Sequence, residues 1–326
     1  GLANALLRKV RSVGFSDMET LSLKKPLSRS SALLSHPVWL LERWIGEFGW
    51  ERAKQLCVWN NEVPNLMVRM NLLRTDRHRF EKFLTLNCAK WAQNQILPEF
   101  YTVSHASKLR ESRQFRDGHF SFQDISSGLI VSLVRPALNE SILDVCAAPG
   151  GKAAALAERM GNRGEIHAFD VDESRVEMLK DTVARLGLSC ISVLQSDATV
   201  ENFPESRKIL IDAPCSGTGV MGKRADLKWR RKENDIKELV EIQTDILSHC
   251  SKFLQAGGEI IYATCSLELE ENWGVVDTFL SCHPEFSVVT AEEAVPGTFI
   301  DERGALFVFP PEHGMDGVFG VILKRD

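Results

Sequence analysis

Five short apolar runs punctuate the second half of the chain: SILDVC (141–146), EIHAFD (165–170), SCISVLQSD (189–197), RKILID (207–212) and GEIIYATC (258–265). Between them the apolar positions change period. Val176, Leu179, Val183 and Leu186 fall on one face of a helix that Gly187 ends. Ile236, Leu239, Val240, Ile246, Leu247, Cys250 and Leu254 mark a longer helix, closed by Gly257 and Gly258. Runs that lack a polar face belong to strands covered on both sides, and strands that take turns with helices build an α/β fold around a doubly wound, mostly parallel sheet. The end of the chain differs. ALFVFP (305–310) and VFGVILKR (318–325) flank PEHGMDG and predict a hairpin that closes one sheet edge with an antiparallel pair.

Upstream of these runs the pattern is less regular. Leu2, Leu6 and Lys9 share one face of a short helix over 1–13, and residues 16–31, rich in Ser and Lys, read as a linker. The stretch PVWLLERWIGEFGWERAKQLCVWN (37–60) predicts two short helices parted by Gly46 and Gly49, with its tryptophans in a core or interface. After Pro64, LMVRMNLL alternates as a strand does, and Phe80, Phe83, Leu84 and Leu86 carry helical spacing. Three parts are therefore expected: 1–30, a helical tail and linker; 31–117, a helical segment and a small basic α/β module; and 118–326, the doubly wound domain. A chain that opens on Gly1 reads as processed or partial.

Composition narrows the class. Of 326 residues, 44% are hydrophobic and 25% charged, as in a globular protein. No run approaches the roughly 20 apolar residues of a membrane helix. Eight cysteines are scattered without a CxxC pair, which points to free thiols in a reducing cytoplasm and to no metal site. The net charge of −5 hides an asymmetry: residues 1–135 carry 20 Lys/Arg against 12 Asp/Glu, whereas residues 136–326 carry 19 against 32. A basic half joined to an acidic one suits a chain that holds a polyanion with one part and works on it with the other. Solvated surface charge accounts for the same numbers equally well.

The candidate chemistry lies at the ends of the apolar runs. DVCAAPGGK (144–152) sits between a strand and the helix KAAALAERM, where small residues let a ligand approach the backbone at the carboxyl edge of the sheet. It is neither GxGxxG nor a P-loop. The next strands lead to Asp170, Asp197 and Asp212 at the same edge. Any one of these could be a cap or turn residue, but three in a row beside a glycine turn suit a nucleoside with an amino-acid tail, such as S-adenosyl-L-methionine. Two of the strands also run into cysteines, Cys215 in DAPCSGTG (212–219) and Cys265 in ATCS (263–266). Cys57, Cys88, Cys190, Cys250 and Cys282 read as small hydrophobes. A thiol at the cofactor edge is needed when the methyl acceptor is C5 of a pyrimidine, a poor nucleophile until a thiolate has added at C6. An N-methyltransferase has no such need. The residues alone leave open which cysteine attacks.

DVCAAPGGK, DAPCSGTG, KRADLKWRR (223–231) and ATCSLELEEN (263–272) resemble the RNA cytosine-C5 methyltransferases of the Sun/Fmu type, over about 64–326, and most of all those that act on bacterial 16S ribosomal RNA. The resemblance implies a seven-stranded methyltransferase sheet and an enzyme that methylates cytosine C5 in RNA, with 16S rRNA as substrate, tRNA as the alternative, and no further subunit. A catalytically dead RNA-binding assembly factor would fit the fold but not the intact Asp and Cys set. It implies that Cys146, Ala147, Ala148, Pro149, Gly150, Gly151 and Lys152, with Asp170, Asp197 and Asp212, hold S-adenosyl-L-methionine. Cys265 would be the nucleophile and Cys215 would assist release, with Lys152 and Asp212 positioning the base. PNLMVRMN (64–71) would bring Arg69 and Asn71 near the RNA, and GLANALLRKV resembles the last helix of an antitermination-factor-like RNA-binding domain. Val318 and Gly320 depart from the Phe and Ala more frequent in the family. The target base must leave its stack to be reached, and Lys223, Arg224, Lys228 and Arg230, with Arg74, Arg77, Arg79 and Lys82, are candidate phosphate contacts. Phe115, Phe120 and Phe122 are expected to pack rather than stack on bases.

Overall fold

The computed structural model describes residues 26–104 and 106–326; the expected helix over 1–13 and the start of the linker lie outside them. Residues 26–31, expected as linker, begin helix α1 (Pro26–Leu34), whose Leu27 and Leu34 pack onto the cluster around α2 (Val38–Asn61). α2 breaks at Gly49 alone (φ 77°, ψ 165°), while Gly46 stays helical. Trp44 is buried, but Trp50 is exposed.

The small module is a sheet in the order β2-β3-β1-β4. Its elements are β1 (Leu66–Met70), α3 (Arg77–Asn87), β2 (Trp91–Gln93), β3 (Phe100–Val103), α4 (Ala106–Glu111), α5 (Arg113–Arg116) and β4 (Phe120–Phe122). All three pairings are antiparallel. Asp76 caps α3 by accepting the Arg79 N–H, and Phe80, Phe83 and Leu84 on its inner face join Val68, Met70 and Tyr101 in one core. Phe115, Phe120 and Phe122 are part of that core, with ring centroids 5.4–5.7 Å apart. β4 lies beyond residue 117 and pairs with β1, so this sheet takes its fourth strand from past the expected junction.

The buried helix α6 (Ile125–Val134) leads into the large sheet. There β5 (Ser141–Asp144), α7 (Gly151–Arg159), β6 (Glu165–Asp170), α8 (Glu173–Leu186), β7 (Ile191–Gln195) and β8 (Ser206–Asp212) follow one another. After the short α9 (Leu227–Arg230) come α10 (Glu233–Cys250), β9 (Leu254–Thr264), α11 (Trp273–Cys282), β10 (Phe286–Val289), β11 (Leu306–Val308), α12 (Pro310–His313) and β12 (Val318–Arg325). The strand order is β10-β12-β9-β8-β5-β6-β7, with β11 also paired to β12. β5 to β9 are parallel, and β12 runs antiparallel to β9, β10 and β11. The unbroken apolar runs are explained by what covers them. Ile142, Leu210, Ile261 and Ala263 face the core with α6, α7 and α8, whereas Leu143, Ile209, Ile211, Ile260 and Tyr262 face α10 and α11.

Two readings are corrected here. The long helix ends at Cys250, and Leu254 opens β9 instead, because a 3-10 turn over Ser251–Phe253 reverses the chain so that Leu254 can pair with Ser206. Cys282, at the end of α11, is exposed rather than packed.

Candidate active site

Strands β8 and β9 are neighbours in register, Asp212 opposite Ala263, so the loops that leave their carboxyl ends lie side by side. This brings residues 50 positions apart to a single point: Sγ of Cys215 and Sγ of Cys265 are 3.1 Å apart, and the Cys265 N–H donates to the Cys215 sulfur at 3.3 Å. All eight cysteines are free. The two thiols are not equivalent. The hydrogen bond between the two sulfurs lowers the Cys265 pKa below the ordinary thiol value, with the Lys152 ammonium acting in the same direction against burial, Asp212 and Glu271. Cys215 is held well above that value by the same hydrogen bond and by burial. Of the two, Cys265 is the thiol whose pKa is shifted down and Cys215 the one shifted up. Lys152, at the start of α7, donates to Oδ2 of Asp212 at 2.5 Å, which joins the glycine turn to the end of β8.

That turn is built for close approach. Gly150 has φ 99°, and a Cβ there would lie 2.6 Å from Leu179. Cys146 is partly exposed, while Ala147 and Ala148 are buried, and Ala147 N–H donates to Phe169 O at 2.7 Å, which fixes the turn to β6. Asp170 is buried at the end of β6, accepts from the Ala148 N–H at 3.3 Å and the Asp172 N–H at 3.2 Å, and forms an ion pair with Arg175 at 3.3 Å. Asp197 stands two residues past the end of β7 and accepts from the Thr199 N–H and hydroxyl, which lowers its pKa. One residue that sequence reasoning passed over completes the ledge. Asp144, the last residue of β5, is fully buried, and neither of its carboxylate oxygens has a hydrogen-bond partner. Burial, then the charge of Asp212, pushes its pKa up to about 8. An orphaned carboxyl beside a glycine turn and two further strand-end carboxylates is the donor set that a cationic amino-acid tail on a nucleoside would satisfy. S-adenosylmethionine carries such a tail.

The comparisons with known proteins agree with this geometry. Residues 131–324 match the family model described as 16S rRNA methyltransferase RsmB/F, and residues 36–106 match the ferredoxin-like domain of the same proteins. The chain belongs to this RsmB/F family. It is 31% identical to the probable ribosomal RNA small subunit methyltransferase B of Bacillus subtilis, over 99% of this chain and 73% of that one. It is also 31% identical to ribosomal RNA small subunit methyltransferase B of Vibrio cholerae, over 100% of this chain and 72% of that one. Among solved structures, a methyltransferase homolog from Pyrococcus horikoshii superposes with a TM-score of 0.80 at 26% identity, covering 93% of this chain and all of that one. The protein is accordingly an S-adenosylmethionine-dependent RNA methyltransferase.

In this RsmB/F member the residues expected to touch RNA divide into two sets. Arg224 and Arg230 are exposed, as is Trp229 between them. Lys223 is tied to Asp124 and, at 2.9 Å, to Asp316. The other three are buried: Arg69 and Asn71, expected near the RNA, and Lys228, expected to meet a phosphate, are instead held by partners inside the protein. Arg69 is 2% exposed and pairs with the buried Glu158 of α7 and with Gln123. Asn71 donates to Gly118 O at 2.9 Å. The Lys228 ammonium is bound by Asn60 O and the Asn61 side chain of α2. A charge in the sequence does not say whether it faces solvent or an internal partner. Among the described residues no His, Cys, Asp and Glu cluster could hold a metal ion, and no helix is long and apolar enough to cross a membrane.

Proposed function

We propose that the protein methylates C5 of a cytosine in small-subunit ribosomal RNA through a covalent bond between Cys265 and C6 of the base, in the cytoplasm, where that RNA is made. The observation that carries the reading is the pair of thiols 3.1 Å apart beside the Lys152–Asp212 ion pair. One ring can be reached by both sulfurs at once. When bound on the ledge of Asp144, Asp170 and Asp197, S-adenosylmethionine supplies an electrophilic methyl group. The Cys265 thiolate adds to C6 and leaves C5 with the electron pair that takes this methyl. The Lys152 ammonium favours the thiolate before addition and can hydrogen-bond the activated base, and Asp212 keeps Lys152 in place. Once Cys265 is a thioether it is a poorer acceptor of the Cys215 hydrogen bond, so Cys215 can give its proton to water and, as the thiolate, take the proton from C5. The electron pair of that C–H bond re-forms the ring double bond and expels Cys265 as a thiolate. One proton is released per methyl group transferred, and both sulfurs return to their starting states.

The Bacillus and Vibrio relatives are named for small-subunit rRNA, which favours it over tRNA. The test is a pair of variants incubated with RNA and cofactor. Cys215→Ala is expected to accumulate a protein–RNA adduct that survives denaturing electrophoresis, and Cys265→Ala to form none. The opposite pattern exchanges the two roles, and no adduct with either variant removes the covalent route.

A further inference from the structure

We infer that Glu271 is a positioning residue that sets the distance between the two thiols. Its carboxylate is fully buried and collects four donors. Oε1 accepts from the Ser216 N–H at 2.8 Å and from Nε2 of Gln243 at 3.0 Å. Oε2 accepts from the Ser216 hydroxyl and, at 2.5 Å, from the Ser266 hydroxyl. Ser216 directly follows Cys215 and Ser266 directly follows Cys265, so one oxygen atom ties together the residues behind both sulfurs. The adjacent Asn272 frames Cys265 from either side: Oδ1 accepts from the Thr264 hydroxyl at 2.6 Å and Nδ2 donates to Ser266 O at 3.0 Å. The Cys215 loop is braced from behind as well, by Arg231 donating to the carbonyls of Cys215 and Ser216 at 3.0 Å.

The chemistry of a carboxylate explains why Glu stands here. The Ser216 N–H and Gln243 Nε2 can only donate, and a carboxylate also draws both hydroxyl protons toward Oε2, so it accepts from all four with charge-assisted bonds. In Glu271→Gln the amide oxygen can keep the Ser216 N–H and Gln243 while its NH2 turns to the hydroxyls, so neutral bonds replace charge-assisted ones and the clamp weakens. Glu271 touches neither sulfur; its charge raises both thiol pKa values, so losing it would by itself speed thiolate chemistry, and a slowing reports loop placement. The consequence for turnover rests on the covalent reading above, in which both thiols serve one ring; the spacing itself does not.

The experiment measures the spacing without RNA. The full chain is treated with diamide, which takes up the two protons and two electrons released as Cys215 and Cys265 join, and the linked peptide is timed by mass spectrometry. Glu271→Gln is expected to slow this bridging about tenfold, since effective concentration falls as geometry loosens. Ser266→Ala, which removes a single donor and spares the buried charge, is expected to slow it less, and it decides the matter should Glu271→Gln fail to fold. Wild-type bridging rates in folded variants would overturn the inference. A second arm follows the RNA adduct, which is expected to persist longer in Glu271→Gln because Cys215 no longer reaches C5. Slowed bridging in a protein whose wild type never forms an RNA adduct would leave the clamp standing and sink the cytosine-C5 reading alone.

Discussion

Asp144 shows how much one side chain can report about a cofactor. Buried in the folded protein beside the charge of Asp212, it keeps its proton up to about pH 8, whereas in the unfolded chain it titrates near 3.9. Between those values the folded state binds the extra proton, so stability falls as pH rises through this window, by up to about 1.4 kcal/mol per unit. Asp144→Asn is expected to flatten that slope and to melt higher than the parent at pH 8, by calorimetry without cofactor. Pairing with an ammonium group reverses the preference, because the ionised carboxylate is then favoured. Cofactor binding at pH 7 should therefore release about one proton from the parent, read by titration calorimetry in two buffers of different ionisation enthalpy. Equal proton release from the Asn variant would show that another group is responsible. The residue was within reach of sequence reasoning, since it opens the quoted DVCAAPGGK, but nothing in a sequence says that a strand-end Asp lacks a partner.

At the scale of elements, the site is made by two loops leaving adjacent strands. Gly219 fits where nothing larger would. Its N–H donates to Cys265 O at 3.0 Å, and a Cβ would lie 2.9 Å from that oxygen and 2.4 Å from Gly317 O. Gly219→Ala must push the DAPCSGTG loop away from Gly317 first and from Cys265 of the ATCS loop next. The expected loss is about 1–3 kcal/mol in urea unfolding; an alanine variant as stable as the parent would mean that the loops are free to separate. The strands themselves were legible, because β5, β6, β8 and β9 are buried on both faces and carry unbroken apolar runs. β10 was not, being short and at the sheet edge, where FSVV has one buried residue and little pattern. Leu254 was misplaced because its spacing continues the helical phase of α10 while its backbone does not.

Across the whole molecule, buried polar groups join the parts. Arg69 of the small sheet meets Glu158 of the catalytic domain, both almost fully buried. From α2, Arg43 bonds to Glu268 at 2.8 Å and to Glu270 at 2.7 Å, and Trp44 donates to Glu268 at 3.1 Å. α2 thereby grips the segment that follows Cys265. Removing one member of a buried pair strands the other, at a cost of roughly 3–5 kcal/mol. Arg69→Met is expected to destabilise the protein by about that amount, and Arg69→Met combined with Glu158→Leu to recover part of it. A variant of full stability with weakened RNA binding would instead restore Arg69 to the RNA surface. The basic N-terminal half was read as a polyanion track; in the folded chain part of that charge is spent on such internal pairs.

The amino-acid order alone determined the doubly wound sheet, the glycine turn, the strand-end carboxylates and the two cysteines, because each is a local matter of periodicity or of a motif at a strand end. It could not place the two sulfurs 3.1 Å apart, expose the stranded Asp144, or separate the buried Arg69 from the exposed Arg224 and Arg230. Those depend on distances between residues far apart in the chain, and on the removal of water from between them. Only packing β8 beside β9, and the small sheet against α7, decided them.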